Sequence, residues 1–133
     1  MEWSPAQQLF AKELDGLVQR LRVWSPTRWA ADASPWGTRA DPVRHLAQWF
    51  ADQAADLEGH PQRALPVLRP DLLVADQLAV TGDDLVRAGP PDEICQDAVA
   101  HLLAHRFDLL GEDPPASLGG AATLVRGREV CGR

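Results

Sequence analysis

The stretch DPVRHLAQWFADQAADLEGH, residues 41–60, has the pattern of an amphipathic helix. Asp41 precedes Pro42, an order typical of helix starts, because the first residue caps free N–H groups and proline fits the first turn. Gly59 is the residue type that most often follows the end of a helix. The stretch therefore predicts a helix over 42–58. Its apolar residues recur at the three- and four-residue spacing of one buried face: Val43, Leu46, Ala47, Phe50, Ala54 and Leu57.

Three other segments show apolar periodicity followed by a break, and two of them begin with a capping residue. Ser4-Pro5-Ala6-Gln7 predicts a helix start with a capping box, in which the serine and glutamine side chains cap each other's backbone N–H groups. Asp92 is predicted to cap the last helix in the simpler way. The stretch 27–40, which contains Trp29 and Trp36, is predicted to be a long ordered loop packed against the helices. We expect four helices, near residues 5–24, 42–58, 71–88 and 92–110.

The arrangement of these segments predicts the fold class. No segment alternates apolar and polar residues between hairpin turns, which argues against a sheet. Four amphipathic helices of this length bury their apolar faces most simply against one another. The predicted fold is therefore all-α, a four-helix bundle formed by residues 1–115. Residues 116–133, rich in glycine and other small residues, are predicted to form a tail that adds a short helix near 118–125 or lies over the bundle.

Composition narrows the function classes. The chain has 133 residues, of which 45% are hydrophobic, and this suits one globular domain. Its net charge of -6 argues against nucleic acid as a partner, because such surfaces are basic. No apolar run approaches the roughly 18 residues that span a bilayer, and the N-terminus lacks the pattern of a secretory signal. Cys95 and Cys131 form no paired motif. We therefore expect a cytoplasmic protein without disulfides or membrane contact.

The candidate chemistry lies in the fourth predicted helix, at His101 and His105. Residues four apart advance about 40° around a helix axis, so both imidazoles can reach one ion. On a helical projection the pair lies at the margin of the apolar face, and Asp97 and Asp108 come next toward the edge. These carboxylates could orient the imidazoles, as outer-shell partners do in metal sites. Histidines at this spacing also occur on half-buried helices that bind no metal.

A third ligand has to come from elsewhere in the chain. A zinc-protease motif does not fit, because Leu102 stands where that motif needs a glutamate directly after the first histidine. His45 on the second helix is the candidate. His60 is less suitable, since it stands in a Gly-His-Pro turn typical of an exposed loop. On its own helix His45 lies off the centre of the apolar face, beside Trp49, so the pattern alone predicts a surface residue.

Two stretches of the chain resemble a known superfamily. Trp29…Trp36-Gly37-Thr38-Arg39-Ala40-Asp41…His45-Leu46-Ala47 is similar to the start of the second helix in the DinB/YfiT-like superfamily, especially its mycothiol-dependent maleylpyruvate isomerase branch. His101-Leu102-Leu103-Ala104-His105-Arg106 resembles the HxxxHR ligand pair on a later helix of that fold. Leu110-Gly111-Glu112-Asp113-Pro114-Pro115 resembles the usual exit from that helix. The resemblance covers residues 5–115.

This resemblance implies a site, a cofactor and partners. The implied ligands of one divalent metal ion, Zn²⁺ or Ni²⁺, are His45, His101 and His105. Three protein ligands leave a coordination position open, as in catalytic zinc sites. Family members are associated with low-molecular-weight thiols such as mycothiol and are frequently dimers, so a small-molecule substrate or thiol and a homodimer are implied as well. Trp36 and Trp49 would wall the pocket. The isomerase branch commonly has glutamate where His101 stands, so the reaction itself is not implied.

The sequence leaves three interpretations open. The first is a metal-dependent enzyme of the low-molecular-weight-thiol transferase or isomerase type, in which no catalytic residue is assigned. The second is a bundle that binds a metal or small ligand without catalysis. The third is a structural, dimer-forming bundle whose histidines are packed or solvated. The position of His45 separates them, because a metal site requires its imidazole near those of His101 and His105.

Overall fold

Every long element among the described residues is a helix. The computed structural model of the chain describes residues 3–33 and 37–110, except for the side chains of 107–110. Apart from an isolated bridge between Asp32 and Thr38, these ranges contain no β-structure. The predicted all-α class is confirmed, and the tail predicted at 116–133 lies outside the described residues. The helices are α1 (Pro5–Arg22), α2 (Pro26–Ala30), α3 (Ala40–Glu58), α4 (Leu73–Arg87) and α5 (Asp92–Leu110).

The capping box predicted at the start of α1 is present. Ser4 Oγ accepts a hydrogen bond from the Gln7 N–H at 3.1 Å, and Gln7 Oε1 accepts one from the Ser4 N–H at 2.8 Å. Ser4 Oγ also donates to Asp92 Oδ1 at 2.9 Å, at the start of α5. The Ser4 side chain therefore satisfies a free N–H group in the first turn of α1 and also joins α1 to α5.

Two predicted caps were wrong in position. α3 begins at Ala40, so Asp41 lies in its first turn and not before it. The Asp41 carboxylate accepts the Thr38 N–H at 2.9 Å, which fixes the chain just before the helix. Asp92 likewise lies in the first turn of α5. A carboxylate in a first turn still favours the helix, because it faces the positive end of the helix dipole.

The loop predicted over 27–40 begins with a helix instead. Ser25 caps α2 by accepting the Arg28 N–H at 3.2 Å, and Pro26 occupies the first helical position. Trp29 on α2 is 1% exposed, and its ring meets that of Trp24 edge-on at 4.9 Å. The tryptophan therefore packs inside, as predicted for this segment, whereas Trp36 lies outside the described residues.

Contacts between particular residues fix the directions of the helices. Arg22, at the end of α1, pairs with Asp76 in the first turn of α4 at 3.1 Å, so α1 and α4 run in opposite directions. Arg44, near the start of α3, pairs at 2.8 Å with Asp71, just before α4. The helices α3 and α4 therefore run in the same direction, and residues 59–72 return along them.

Each of α1 and α3 packs against both α4 and α5. The rings of Phe10 on α1 and Phe50 on α3 meet inside this arrangement at 5.4 Å, and both are fully buried. Gly82 on α4 allows α1 to come close, because a Cβ at this position would overlap the side chain of Leu14. No helix among the described residues combines the length and apolar character needed to cross a membrane.

The crossing segment 59–72 is held along α3 by side-chain amides. Gln48 Oε1 accepts the Leu65 N–H at 2.8 Å, and Gln48 Nε2 donates to the Arg63 carbonyl at 2.9 Å. Arg44 donates to the Leu68 carbonyl at 3.2 Å. These bonds satisfy backbone groups of an extended segment that has no helical partners of its own. They keep it on the side of α3 that faces α4.

Candidate metal centre

The candidate histidines lie where α3 and α5 run side by side in opposite directions. His45 of α3 faces His105 of α5, with ring centroids 6.2 Å apart and ring planes inclined by 18°. One turn further along α3, Trp49 faces His101, with ring centroids 4.4 Å apart. The four rings form two successive pairs between the helices, which we call the ring ladder. Both pairs follow from i, i+4 spacing on each of two antiparallel helices.

His105 is the most deeply placed of the three histidines, with 8% of its surface exposed. Its Nδ1 lies 2.8 Å from the backbone carbonyl oxygen of His101. Because a carbonyl oxygen only accepts hydrogen bonds, Nδ1 carries the hydrogen, and in the neutral ring the lone pair is on Nε2. Histidine ligands of metals are commonly fixed in this way, by a hydrogen bond from the other ring nitrogen.

His101 is half-buried, and its surroundings disfavour the protonated ring. Burial lowers the pKa of His101 below its ordinary value of 6.5, the nearby His45 lowers it further, and the Asp97 carboxylate opposes the shift. A lowered pKa keeps the imidazole neutral at physiological pH. A neutral imidazole is the form that can bind a metal ion.

The three histidines are neighbours, but they do not converge on one point. Within the ranges 3–33 and 37–106, no group of three or more His, Cys, Asp or Glu side chains is placed to hold a metal ion. The geometric reason lies in the ring ladder, where His101 contacts the Trp49 indole while His45 and His105 face each other. In this conformation His45 and His105 form one ring pair of the ladder, and His101 belongs to the other. We call the line of contact between α3 and α5 that holds both pairs the seam.

The other residues predicted near the site differ in how deeply they are buried and in whether they contact a candidate ligand. Asp97 is exposed one turn before His101 and acts on that ring through its charge. Trp49 is partly buried against the core and contacts a candidate ligand directly. The side chain of Asp108 and the whole of Trp36 lie outside what the structure describes. His60 is exposed in the crossing segment, as its turn sequence predicted.

Arg106, the last residue of the HxxxHR sequence, pairs with α1, which contributes no ring to the ring ladder. Its guanidinium lies 3.4 Å from the Glu13 carboxylate of α1, and both side chains are about three-quarters buried. An ion pair that is partly shielded from water holds its helix more firmly than an exposed one. The arginine therefore joins the histidine-bearing part of α5 to α1.

A concave region lies on the side of α3 away from the ring ladder. It is a groove of about 780 Å³ between α3, α4 and the crossing segment. Its lining includes Ala51, Ala55, Leu65 and Val80, with His60 near one end. The groove contains none of the three candidate ligands, so it is separate from the ring ladder.

Comparison with known proteins gave no match to a protein-family model, to a curated protein or to a solved structure. The similarity to the DinB/YfiT-like superfamily therefore depends on the residues quoted from the sequence. The family assignment, the metal and the thiol all stay predictions.

Proposed function

We propose that this protein is a four-helix bundle of the DinB/YfiT-like type that binds one divalent metal ion through His45, His101 and His105. The observation that carries the proposal is the contact between His45 and His105. These residues are far apart in the sequence, and their rings meet at 6.2 Å between two helices. His101 lies one turn away on the same seam. In this proposal α2 is an accessory turn outside the four long helices.

The donor set suits Zn²⁺ or Ni²⁺, since imidazole nitrogens are ligands that both ions accept. Two of the rings have features that favour ligation. His105 has its Nδ1 hydrogen directed to a carbonyl, which places the lone pair on Nε2. The lowered pKa of His101 keeps it neutral. His101 has to turn away from Trp49 to join the other two, because the described conformation assembles no three-donor group.

We further propose that the metal serves an enzyme of the low-molecular-weight-thiol transferase or isomerase type. An ion held by His45, His101 and His105 would favour the thiolate over the thiol at its open position, and would so supply a nucleophile near neutral pH. The chain's own contribution is to orient and shield. The His101 carbonyl fixes the His105 ring, and Arg106 with Glu13 holds the helix that carries both histidines. Trp49 is partly buried against the core and contacts the His101 ring, so it would shield that ring from water.

Metal binding by purified protein tests the proposal. We expect one Zn²⁺ per chain in a competition titration with a chromophoric chelator, and a Co²⁺ absorption spectrum typical of nitrogen ligands. His45→Ala, His101→Ala and His105→Ala should each lower the affinity by more than the roughly 10- to 100-fold that outer-shell partners carry. His60→Ala is the matched control, because this exposed histidine lies outside the seam.

A purely structural function is the second candidate, and the lack of a three-donor group in ranges 3–33 and 37–106 favours it. In that case the histidines are packing residues of the seam. His105→Ala would then lower the free energy of unfolding, while neither the wild type nor any variant would bind Zn²⁺ stoichiometrically. The same titration therefore separates the two candidates.

A further inference from the structure

The ring ladder places one candidate ligand against an indole. The ring centroids of His101 and Trp49 are 4.4 Å apart, at the short end of the range for interacting aromatic rings, and their planes are inclined by 47°. His101 is half-buried in this position. The contact is therefore close and partly shielded from water.

Trp49 is the fixed partner in this contact. Its ring also meets the edge of Phe50 at 5.7 Å, and it packs against the buried core of the protein. Phe50 is completely buried between the helices. His101 is only half-buried, whereas Trp49 has a further ring contact and packs against the core. If one of the two rings moves, it is the imidazole, which can turn about its own side-chain bonds.

We propose that Trp49 competes with the metal ion for the His101 imidazole and thereby sets the affinity of the site. The proposal rests on the metal-binding function proposed above. With its ring on the indole, His101 stands apart from the pair formed by His45 and His105. Ligation beside that pair requires the ring to leave Trp49, and the lost contact reduces the net affinity. Trp49 is thus a positioning residue that acts through His101.

The size of this effect follows from the strength of aromatic contacts. The free energy of a close contact between two aromatic rings corresponds to a change of about 2- to 10-fold in a binding constant. Removal of the indole should therefore raise the affinity for the metal ion, since the His101 ring no longer has to give up a contact. A tryptophan that only filled space beside the site would have the opposite effect, because its loss would loosen the ligands.

Zn²⁺ titration of three tryptophan variants tests the competition. Trp49→Leu should bind Zn²⁺ about 2- to 10-fold more tightly than the wild type. Trp49→Phe, which keeps an aromatic face, should restore most of the wild-type affinity. Trp3→Leu is the matched control and should change nothing, because Trp3 is 44% exposed and precedes α1. Equal or weaker binding by Trp49→Leu overturns the competition.

Nuclear magnetic resonance of the His101 ring protons provides a second readout. The indole face should shift these protons upfield in the chelator-treated wild type, and the shift should disappear in Trp49→Leu. Zn²⁺ added to the wild type should abolish the same shift, so the test holds even if Trp49→Leu does not fold. If Zn²⁺ binds and the chemical shifts of the His101 ring protons do not change, the proposal is wrong.

The two proposals fail in different ways. If the wild type binds Zn²⁺ and Trp49→Leu binds it equally well, only the competition is wrong. If neither the wild type nor Trp49→Leu binds Zn²⁺, the metal-binding function and the competition are both wrong. Tight binding by Trp49→Leu with weak binding by the wild type supports both.

Discussion

His45 lies at the exposed margin of its own helix, but in the fold it lies beside a histidine of another helix. The side chain is exposed, as the helical projection of its own segment predicted, yet its ring stacks on that of His105. A projection gives only the direction of a side chain from its own axis. The neighbouring helix decides what the side chain contacts. Exposure of a histidine at the margin of a helix therefore does not argue against a role in a site.

His101 should make the stability of the protein depend on pH. Burial lowers its pKa in the folded state, with His45 adding to the effect and Asp97 opposing it. The unfolded chain therefore binds a proton more readily than the folded protein does. The free energy of unfolding contributed by this residue is fully present above the ordinary pKa of 6.5. This contribution falls as the pH drops from 6.5 toward the lower pKa that His101 has in the folded protein. Below that pKa it no longer changes with pH.

Urea unfolding of chelator-treated protein between about pH 5 and 8, where histidine titrates, measures this dependence. We expect the wild type to become less stable on acidification and His101→Asn to lose part of that slope. His60→Asn should keep the wild-type slope, since His60 is exposed in the crossing segment. Parallel curves for the wild type and His101→Asn would contradict the prediction.

Part of the candidate site could be predicted from local spacing alone. The pair of His101 and His105 is readable because four residues bring side chains to one helix face. The contact of His45 with His105 depends on which helix lies beside α3, and only the family resemblance indicated it. The contact of Trp49 with His101 was not predicted. Its signal is the i, i+4 spacing of His45 and Trp49, which matches the spacing of the pair on an antiparallel helix.

At the scale of single elements, local signals predicted most helix ends and missed one helix. The capping box at Ser4 and the stop at Gly59 depend on neighbouring backbone groups, so the sequence contains them. α2 has only five residues, too few for a hydrophobic period to be visible. The first predicted helix stops near residue 24, just before Ser25-Pro26, and Pro26 is the first residue of α2. A proline after a capping residue begins a helix as readily as it ends one.

Two glycines inside helices should respond to alanine in opposite ways. At Gly82 on α4 a Cβ would overlap the buried side chain of Leu14, so α1 and α4 would have to separate or repack. We expect Gly82→Ala to lower the free energy of unfolding by about 1–3 kcal/mol, the usual cost of overpacking. Denaturant unfolding measures the change.

Gly16 on α1 is the matched control for this substitution. A Cβ there meets nothing within 4 Å, so alanine adds only its better helix propensity. Gly16→Ala should raise the free energy of unfolding by about 0.5–1 kcal/mol. A stabilising effect of Gly82→Ala would mean that the close approach of α1 and α4 is wrong.

At the scale of the whole molecule, the directions of the helices could not be derived from the sequence. Apolar faces predict that the helices pack together, but they do not distinguish parallel from antiparallel neighbours. The length of the segment 59–72 permits a return along α3, and side-chain bonds from Gln48 and Arg44 hold it there. Those bonds join residues 17 and 24 positions apart, beyond the range of any helical or turn pattern. The parallel course of α3 and α4 therefore emerges only in three dimensions.

We predict that this protein associates into a homodimer through exposed apolar side chains. The half formed by α3, the crossing segment and α4 exposes four large apolar side chains: Leu57, Val67, Leu72 and Val80, which are 40%, 63%, 49% and 60% exposed. Covering such residues on two copies contributes the apolar part of an interface, and stable interfaces bury about 1,200–2,000 Å² in total. We expect sedimentation at tens of micromolar, roughly the range in which modest interfaces form, to give a dimer. Val80→Lys should shift the equilibrium toward monomer, because a charge on α4 would be buried in the interface. Val23→Lys is the control and should leave the equilibrium unchanged, because Val23 follows α1 and is 83% exposed. A wild-type monomer at that concentration would contradict the prediction.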